Sequence, residues 1–533
     1  MTCPGAFVIC EKRSPWQKGD DGVLSILDRD PSAGGEEVAE PPYFRDLLLD
    51  RVVGAITAGR DAFHLQAYFY RPLGSAPAVL YRQAVFQDLE RLPVRTAAER
   101  FAAAMAASRQ HLAQAEALRD ELQQHRWFLE GTLVRGQAIA ALARDWAAAN
   151  LRSAALGSAQ AFLNQLAQSP AVQTMQAEAA QLVQDLASVY YDVHIQGSRV
   201  AVLPHQGDKD FGAAIEAAFA RFRQGPVEPY AFRSQRDPEL NHVEAQILHL
   251  VAQQHTELFS RLEQFHSTYA TLWPPDVAQL DRELQWYLAW REYAESLATA
   301  GLPICFPEVH RAPGPMQIRE AFHPALLDVM RPPDIVCNSL DITEPECIAV
   351  VSGPNQGGKT TFARLFATVH YLGQLGGPIP AAAARLTLFD HIFTHFPREE
   401  RAGAPSSHLE EELRRMLDIL GSATRESLVV LNEPFGSTTA QDARWLGQRV
   451  LARLAEIGAR TVCVTFLDEW SRLSDATVSL VAVARSARRG EPAERTFRIV
   501  RRPADGRAHA VALAERHGLG YEQVREQLAG GGS

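Results

Sequence analysis

The sequence predicts an α plus α/β protein: a mostly helical domain, then an α/β domain built on a mainly parallel sheet. Three observations carry this. Residues 85–190 are rich in Ala, Leu, Gln, Glu and Arg, with few glycines, and their apolar positions fall in helical stripes. Prolines cluster from Pro307 to Pro333, as in a linker. Beyond them, the apolar runs Ile348–Ser352, Leu428–Leu431, Thr461–Thr465 and Val478–Ala484 alternate with helical segments, the pattern of strands crossing over through helices.

Taken in chain order, residues 1–41 hold Gly, Pro, Asp and Glu with little periodicity and read as a flexible leader. From Pro42 onward Phe44, Leu47, Leu48, Val52 and Ile56 recur at helical spacing. Ala102–Leu122 reads as one long helix. Val193, Ile195, Val200 and Val202 alternate around Gly197-Ser198, which predicts a small hairpin over 191–203. Helical periodicity returns over 211–297, and the last helix starts after Pro274-Pro275 with Asp276 as its cap. Trp286, Trp290, Tyr293 and Leu297 share one side of it, a stripe read as core packing or contact with a neighbouring domain before base stacking. The divisions are therefore 1–41, a helical domain over 42–310, and the α/β domain over 311–533.

Composition excludes several classes. At 533 residues, with 46% hydrophobic and 22% charged residues, the chain has room for several domains and enough apolar content to bury cores. A net charge of -10 rules out a uniformly basic surface, although a nucleic-acid partner depends on where Arg and Lys cluster. Six scattered cysteines without CxxC spacing suit reduced thiols and not a disulfide framework or zinc site. No apolar run reaches the ~20 residues of a membrane helix, and no secretory pattern opens the chain. The expectation is a cytoplasmic protein without a membrane partner.

The strongest chemical signal is GPNQGGKTT: Gly353, Pro354, Asn355, Gln356, Gly357, Gly358, Lys359, Thr360 and Thr361. It matches G-x-x-x-x-G-K-[ST] between an apolar strand and a helix, where glycines let backbone N–H groups converge on a polyphosphate. The helix that starts there points its positive end at the same anion. Lys359 reaches the outer phosphates, and the Thr360 hydroxyl suits magnesium. ATP and Mg2+ are the implied ligands.

LVVLNE, Leu428–Glu433, is an apolar strand ending in a carboxylate. In phosphate-loop enzymes such a strand lies beside the loop; Glu433 is the candidate that orients or deprotonates the attacking water. Asn432 stands where an aspartate is usual on the magnesium side, so a metal contact there loses a charge. Ser406-Ser407 precedes the acidic turn HLEEEL, a common helix start, so Ser407 reads first as a cap.

Together these segments resemble the ATPase domain of the MutS family of DNA mismatch-repair proteins. GPNQGGKTT is similar to that family's GPNMGGKST loop, and Tyr371–Phe396 resembles the region that follows it. ATRESLVVLNE, Ala423–Glu433, follows the family's acidic strand, with Thr438 and Asp442 matching positions beyond. Ser407–Glu412 falls where the family carries Ser-Thr-Phe-Met-x-Glu, which gives Ser407 a second reading: a catalytic contact to nucleotide held by the opposite subunit. Ala508–Gln527 resembles the helix-turn-helix that closes such domains and dimerises, and Val277–Val309 resembles the family's core and lever segment. The resemblance implies a helical core/lever domain ahead of a MutS-like P-loop ATPase domain, working as a homodimer on mismatched, damaged or branched DNA.

Departures from the family are Asn432, Phe466 in place of a histidine near the γ-phosphate, and the lack of a recognisable mismatch-reading domain. Phe128-Leu129-Glu130 has the letters of that domain's wedge but lies in a helical stretch. Arg485–Arg507, with Arg488, Arg489, Arg495, Arg498, Arg501 and Arg502, reads either as a DNA-backbone contact or as a charged sheet edge. A competing reading is a nucleotide-dependent assembly protein with weak turnover. An ABC-type or chromosome-structure ATPase ranks third, since SSHLEEE replaces its glycine-rich signature.

Overall fold

A computed structural model describes residues 24–29, 39–197, 199–205, 240–311, 314–397, 408–485 and 494–504. In chain order the helices are α1 (Tyr43–Leu47), α2 (Leu49–Ile56), α3 (Ala76–Leu89), α4 (Leu92–Ala117), α5 (Glu121–Ala148), α6 (Ala154–Gln168), α7 (Pro170–Ala187), α8 (His242–Gln254), α9 (Thr256–Tyr269), α10 (Pro275–Thr299), α11 (Lys359–Gln374), α12 (His408–Ser422) and α13 (Ala440–Ile457). The strands are β1 (Tyr191–Gln196), β2 (Arg199–Pro204), β3 (Glu308–His310), β4 (Met316–Ala321), β5 (Asn338–Ile342), β6 (Ile348–Ser352), β7 (Ala383–Thr387), β8 (Ile392–His395), β9 (Leu428–Asn432), β10 (Arg460–Val464), β11 (Thr477–Arg485) and β12 (Glu494–Arg501). They form two compact units, one taking residues 91–152 and 156–281, the other 25–90, 153–155 and Arg282 onward.

The first unit is helical. The stretch Ala102–Leu122, expected as one helix, is two: Leu118 leaves helical geometry and the Asp120 carboxylate caps α5 by accepting from Gln123 N. An Asp side chain competes with the backbone for N–H donors and so favours a start over a helix interior. Gly131 lets α4 and α5 approach closely: an added Cβ would sit 3.0 Å from Leu112 Cγ, and Ser108 Oγ donates to Gly131 O at 2.7 Å. Met105, Leu129, Ile139, Leu142 and Trp146 are buried in this unit. β1 and β2 pair antiparallel with Val193 opposite Val202, the hairpin the alternation predicts.

In the second unit a six-stranded sheet runs β12-β11-β6-β10-β9-β8, parallel except where β12 pairs antiparallel with β11. Every residue of β6, β9 and β10 is buried, which explains why they read as unbroken apolar runs: both faces are covered. On the α13 side Val350, Val429, Leu431, Cys463, Leu451, Leu454 and Trp470 form one cluster. The helix α11 is buried along almost its whole length. A second sheet runs β3-β7-β4-β5. The proline-rich stretch expected as a linker therefore supplies β3 and β4, whose extended residues tolerate flanking prolines.

The segment before α4 belongs to this unit. Arg364 Nε on α11 donates to Asp46 O at 2.8 Å, and His323 Nε2 meets Leu47 O at 3.0 Å. Within the stretch expected as a leader, Ser25, Ile26 and Leu27 are buried. The buried Glu283 carboxylate accepts from Ser25 Oγ at 2.8 Å and from Ile26 N at 2.6 Å, and Tyr287 Oη donates to Ile26 O at 2.7 Å. Three hydrogen bonds to two buried side chains hold residues that local periodicity leaves blank. Trp286 and Trp290 are buried against Phe69 and Phe86, so the aromatic stripe is core.

Candidate nucleotide site

The strand β6 delivers the chain into the loop 353–358, and α11 leaves from Lys359. Gly353 and Gly358 hold φ of +124° and +90°, which L side chains rarely adopt. Gly353 and Gly357 also serve packing. A Cβ on either would come within 2.9 and 3.1 Å of Ala482 Cβ on β11, so the loop lies flat on that strand only because both are glycine. Gly358 caps α11 with no side-chain hydrogen bond, which leaves the first-turn N–H groups open to an anion.

Lys359 is buried. Its Nζ donates to Gly353 O at 2.8 Å and Pro354 O at 3.2 Å and lies 4.0 Å from the centre of the Phe466 ring. Burial lowers the ammonium pKa from its usual range, and the Glu433 and Asp468 carboxylates push it back up. Thr360 Oγ1 donates to Asn432 Oδ1 at 2.9 Å. That contact sets two hard oxygens side by side, the ligand type magnesium takes, without a formal charge.

The carboxylate strand is not the loop strand's immediate neighbour. One strand, β10, intervenes, with Val464 level with both Val351 of β6 and Asn432 of β9. The register makes good the distance: Asn432 ends β9 at the same height as the loop, and Glu433 N donates to Val464 O at 2.9 Å. Glu433 then turns at φ 50° and lines the cavity beside the loop. The cavity measures about 250 Å³ and is bounded by Asn355, Gln356, Gly358, Lys359, Thr360, Thr361 and Glu433 on its polar side. Phe322, Leu326, Met330 and Phe497 make an apolar wall, with Asn338 at its edge. Gln356 and Phe497, like Glu433, hold positive φ, 59° and 53°. Three cavity residues in a sparsely populated backbone region mark a place where the fold imposes geometry.

Sequence reasoning missed the apolar wall. Phe497 is fixed by Asn338, which donates through Nδ2 to Phe497 O at 3.1 Å and accepts from Ile499 N at 2.7 Å. These residues are 159 and 161 positions apart, so no local pattern could have joined them. Glu412, the last residue of the acidic segment, is buried, accepts from Ser437 Oγ at 2.6 Å, and lies 3.5 Å from His395 Nε2. It thereby ties α12 to the loop after Glu433. Ser407, Arg488, Arg489 and the segment Ala508–Gln527 lie outside the described residues. Arg498, Arg501 and Arg502 are described; Arg501 pairs with Glu346, and β12 is an edge strand of its sheet.

Among the described residues no helix is long and apolar enough to cross a membrane, and no cluster of three or more His, Cys, Asp or Glu is placed to hold a metal ion. A family model described as MutS domain V matches residues 349–526. Over 203 residues the chain is 32% identical to the DNA mismatch repair protein MutS of Shouchella clausii, covering 38% of this chain and 23% of that protein. Two further proteins of that name match similarly: that of Exiguobacterium sp. at 32% over 31% of this chain and 20% of its own, and that of Persephonella marina at 30% over 31% and 19%. The match thus spans about a fifth to a quarter of these relatives' length.

Proposed function

We propose that the chain, whose residues 349–526 match MutS domain V, works as a MutS-type ATPase that binds and hydrolyses ATP at the loop 353–361 and couples this cycle to DNA. One observation carries the reading. Lys359, Thr360 and Glu433, drawn from segments more than 70 residues apart, line one cavity with an apolar wall, and Thr360 is hydrogen-bonded to Asn432. The cavity matches a nucleotide in kind: an open helix N-terminus for phosphates, and Phe497 with its apolar neighbours for a flat base.

Lys359 supplies positive charge to the outer phosphates from a buried position, where it is screened less than at the surface. Magnesium, held by Thr360 with Asn432 behind it, would neutralise phosphate charge. Glu433 orients water at the terminal phosphate and takes up its proton. In the homodimer that the family resemblance implies, Ser407 reaches the nucleotide of the opposite subunit. The substrate on the DNA side is a mismatched, damaged or branched duplex.

The deciding measurement is steady-state ATP hydrolysis beside nucleotide binding. Glu433→Ala is expected to lower turnover about 100-fold or more while binding of a fluorescent ATP analogue persists, the scale of losing a general base. Equal rates would remove Glu433 from the mechanism. A second reading, a nucleotide-dependent assembly protein with weak turnover, is favoured by the uncharged Asn432 and by Phe466. It predicts saturable binding, turnover that Glu433→Ala leaves unchanged, and no preference among paired, mismatched and branched DNA in gel-shift competition at low salt.

A further inference from the structure

The ring of Phe466 does more than leave a polar position empty. It follows β10, the strand between the loop strand and the carboxylate strand, and is anchored at its base: Thr465 N donates to Val351 O at 3.0 Å, and Leu467 N donates to Thr465 Oγ1 at 3.0 Å. From there the ring faces Lys359 Nζ at 4.0 Å while the same nitrogen bonds back to Gly353 O and Pro354 O. An ammonium has three N–H donors, and two are spent on the loop's own carbonyls. The quadrupole of the ring attracts the remaining face of the cation. No carboxylate lies within ion-pair distance of Lys359 among the described residues. The contact is a departure from a neutral filler: an aromatic ring 52% exposed to solvent, held over a buried charge.

We propose that Phe466 is a positioning residue that holds Lys359 folded back on its own loop, so that a triphosphate gains the lysine only by drawing it off the ring. This rests on the nucleotide reading of the site. When the binding-competent arrangement is one of two states, apparent affinity falls by the fraction in which it is populated. A ring contact of this kind shifts that fraction several-fold, so Phe466 sets the nucleotide concentration at which the site fills. Asp468, two residues further on, adds a second hold on the same ammonium through its charge. The ring and that charge both come from the turn after β10.

The chain makes the test clean, because it has only four lysines: Lys12, Lys18, Lys209 and Lys359. Amine-reactive acylation of the nucleotide-free full chain, read at Lys359 by peptide mass spectrometry, reports the hold directly. Phe466→Leu removes the ring at similar bulk, Phe466→Ala removes both, and Phe466→Trp keeps an aromatic face. Expected is labelling several-fold faster in the Leu and Ala variants, with Trp at or below the parent rate. Titration with a fluorescent ATP analogue should show binding about two- to fivefold tighter in the Leu variant, the size of an exposed cation–π contact expressed as an affinity ratio. Leu and Phe labelling at the same rate overturns the proposal, as does nucleotide binding that is unchanged or weaker in the Leu variant. Ring-dependent labelling with no nucleotide binding by any variant overturns the nucleotide reading, and the role assigned to Phe466 falls with it.

Discussion

In the proposed nucleotide site, Asn432 is the residue whose chemistry would decide how a cation is held. Its Oδ1 accepts from Thr360 at 2.9 Å and the residue is 7% exposed, so the pair is fixed and shielded from water. A carboxylate in its place would attract a divalent ion with about 8 kcal/mol of Coulomb energy, twice the ~4 kcal/mol for unit charges at 4 Å and an effective dielectric near 20, before desolvation of the new charge. Desolvation offsets most of this in a position so buried. Asn432→Asp is therefore expected to lower the magnesium concentration for half-maximal nucleotide binding by about tenfold, and to lower the melting temperature in EDTA because the charge is then unpaired. A higher magnesium requirement in the variant would put this side chain away from the cation. Sequence spacing was enough to bring Lys359, Thr360, Asn432 and Glu433 together, because a phosphate loop and an acidic strand end are local patterns with a shared chemistry. Phe497 and Asn338 were not legible, since their meeting is made by sheet pairing between distant strands.

At the scale of elements, the strands were easier to read than the helices' partners. Runs such as IAVVS and LVVLN are apolar throughout because both faces are covered, and the observed ends fall within a residue of those expected. What periodicity cannot say is which element a helix packs against, and so the docking of α1 on α11 came only from the structure. The helix α13 shows how tightly such contacts are set. Thr439 caps it by accepting from Asp442 N, and Gly447 faces the buried Trp470. A Cβ at 447 would lie 1.9 Å from the Trp470 ring. In an exposed helix interior Gly→Ala gains about 1 kcal/mol. Here the overlap with a large buried ring, at a distance real atoms do not reach, outweighs that gain, with overpacking costing about 1–3 kcal/mol or more. Gly447→Ala is expected to lower the denaturant midpoint, and a stabilised variant would mean that α13 sits farther from Trp470 than described.

For the second unit as a whole, acid is the condition that tests the packing. His323 and His370 are both buried, and burial pushes each down to about 4 from an ordinary 6.5. His323 joins the cavity wall to the α1–α2 turn through Leu47 O, and His370 Nδ1 bonds Phe366 O at 2.8 Å inside α11. Both are neutral in the folded chain. The unfolded chain binds their protons first, so the stability they contribute is complete above pH 6.5 and is lost as pH falls toward 4. Each proton taken up only by the unfolded state costs about 1.4 kcal/mol per pH unit across that window. Because His370 lies within the helix that carries Lys359 and His323 Nε2 meets Thr368 Oγ1 of the same helix at 3.2 Å, loss of nucleotide binding is expected to follow the loss of stability between pH 6 and 4. Carboxylates titrate in the same range, so the informative quantity is a difference: urea unfolding of the parent against His323→Asn, His370→Asn and the double variant at each pH. The double variant should show the shallower dependence on pH. Parallel curves for parent and double variant would mean that these imidazoles are already exposed to protons in the folded chain, contrary to the packing that seals α11.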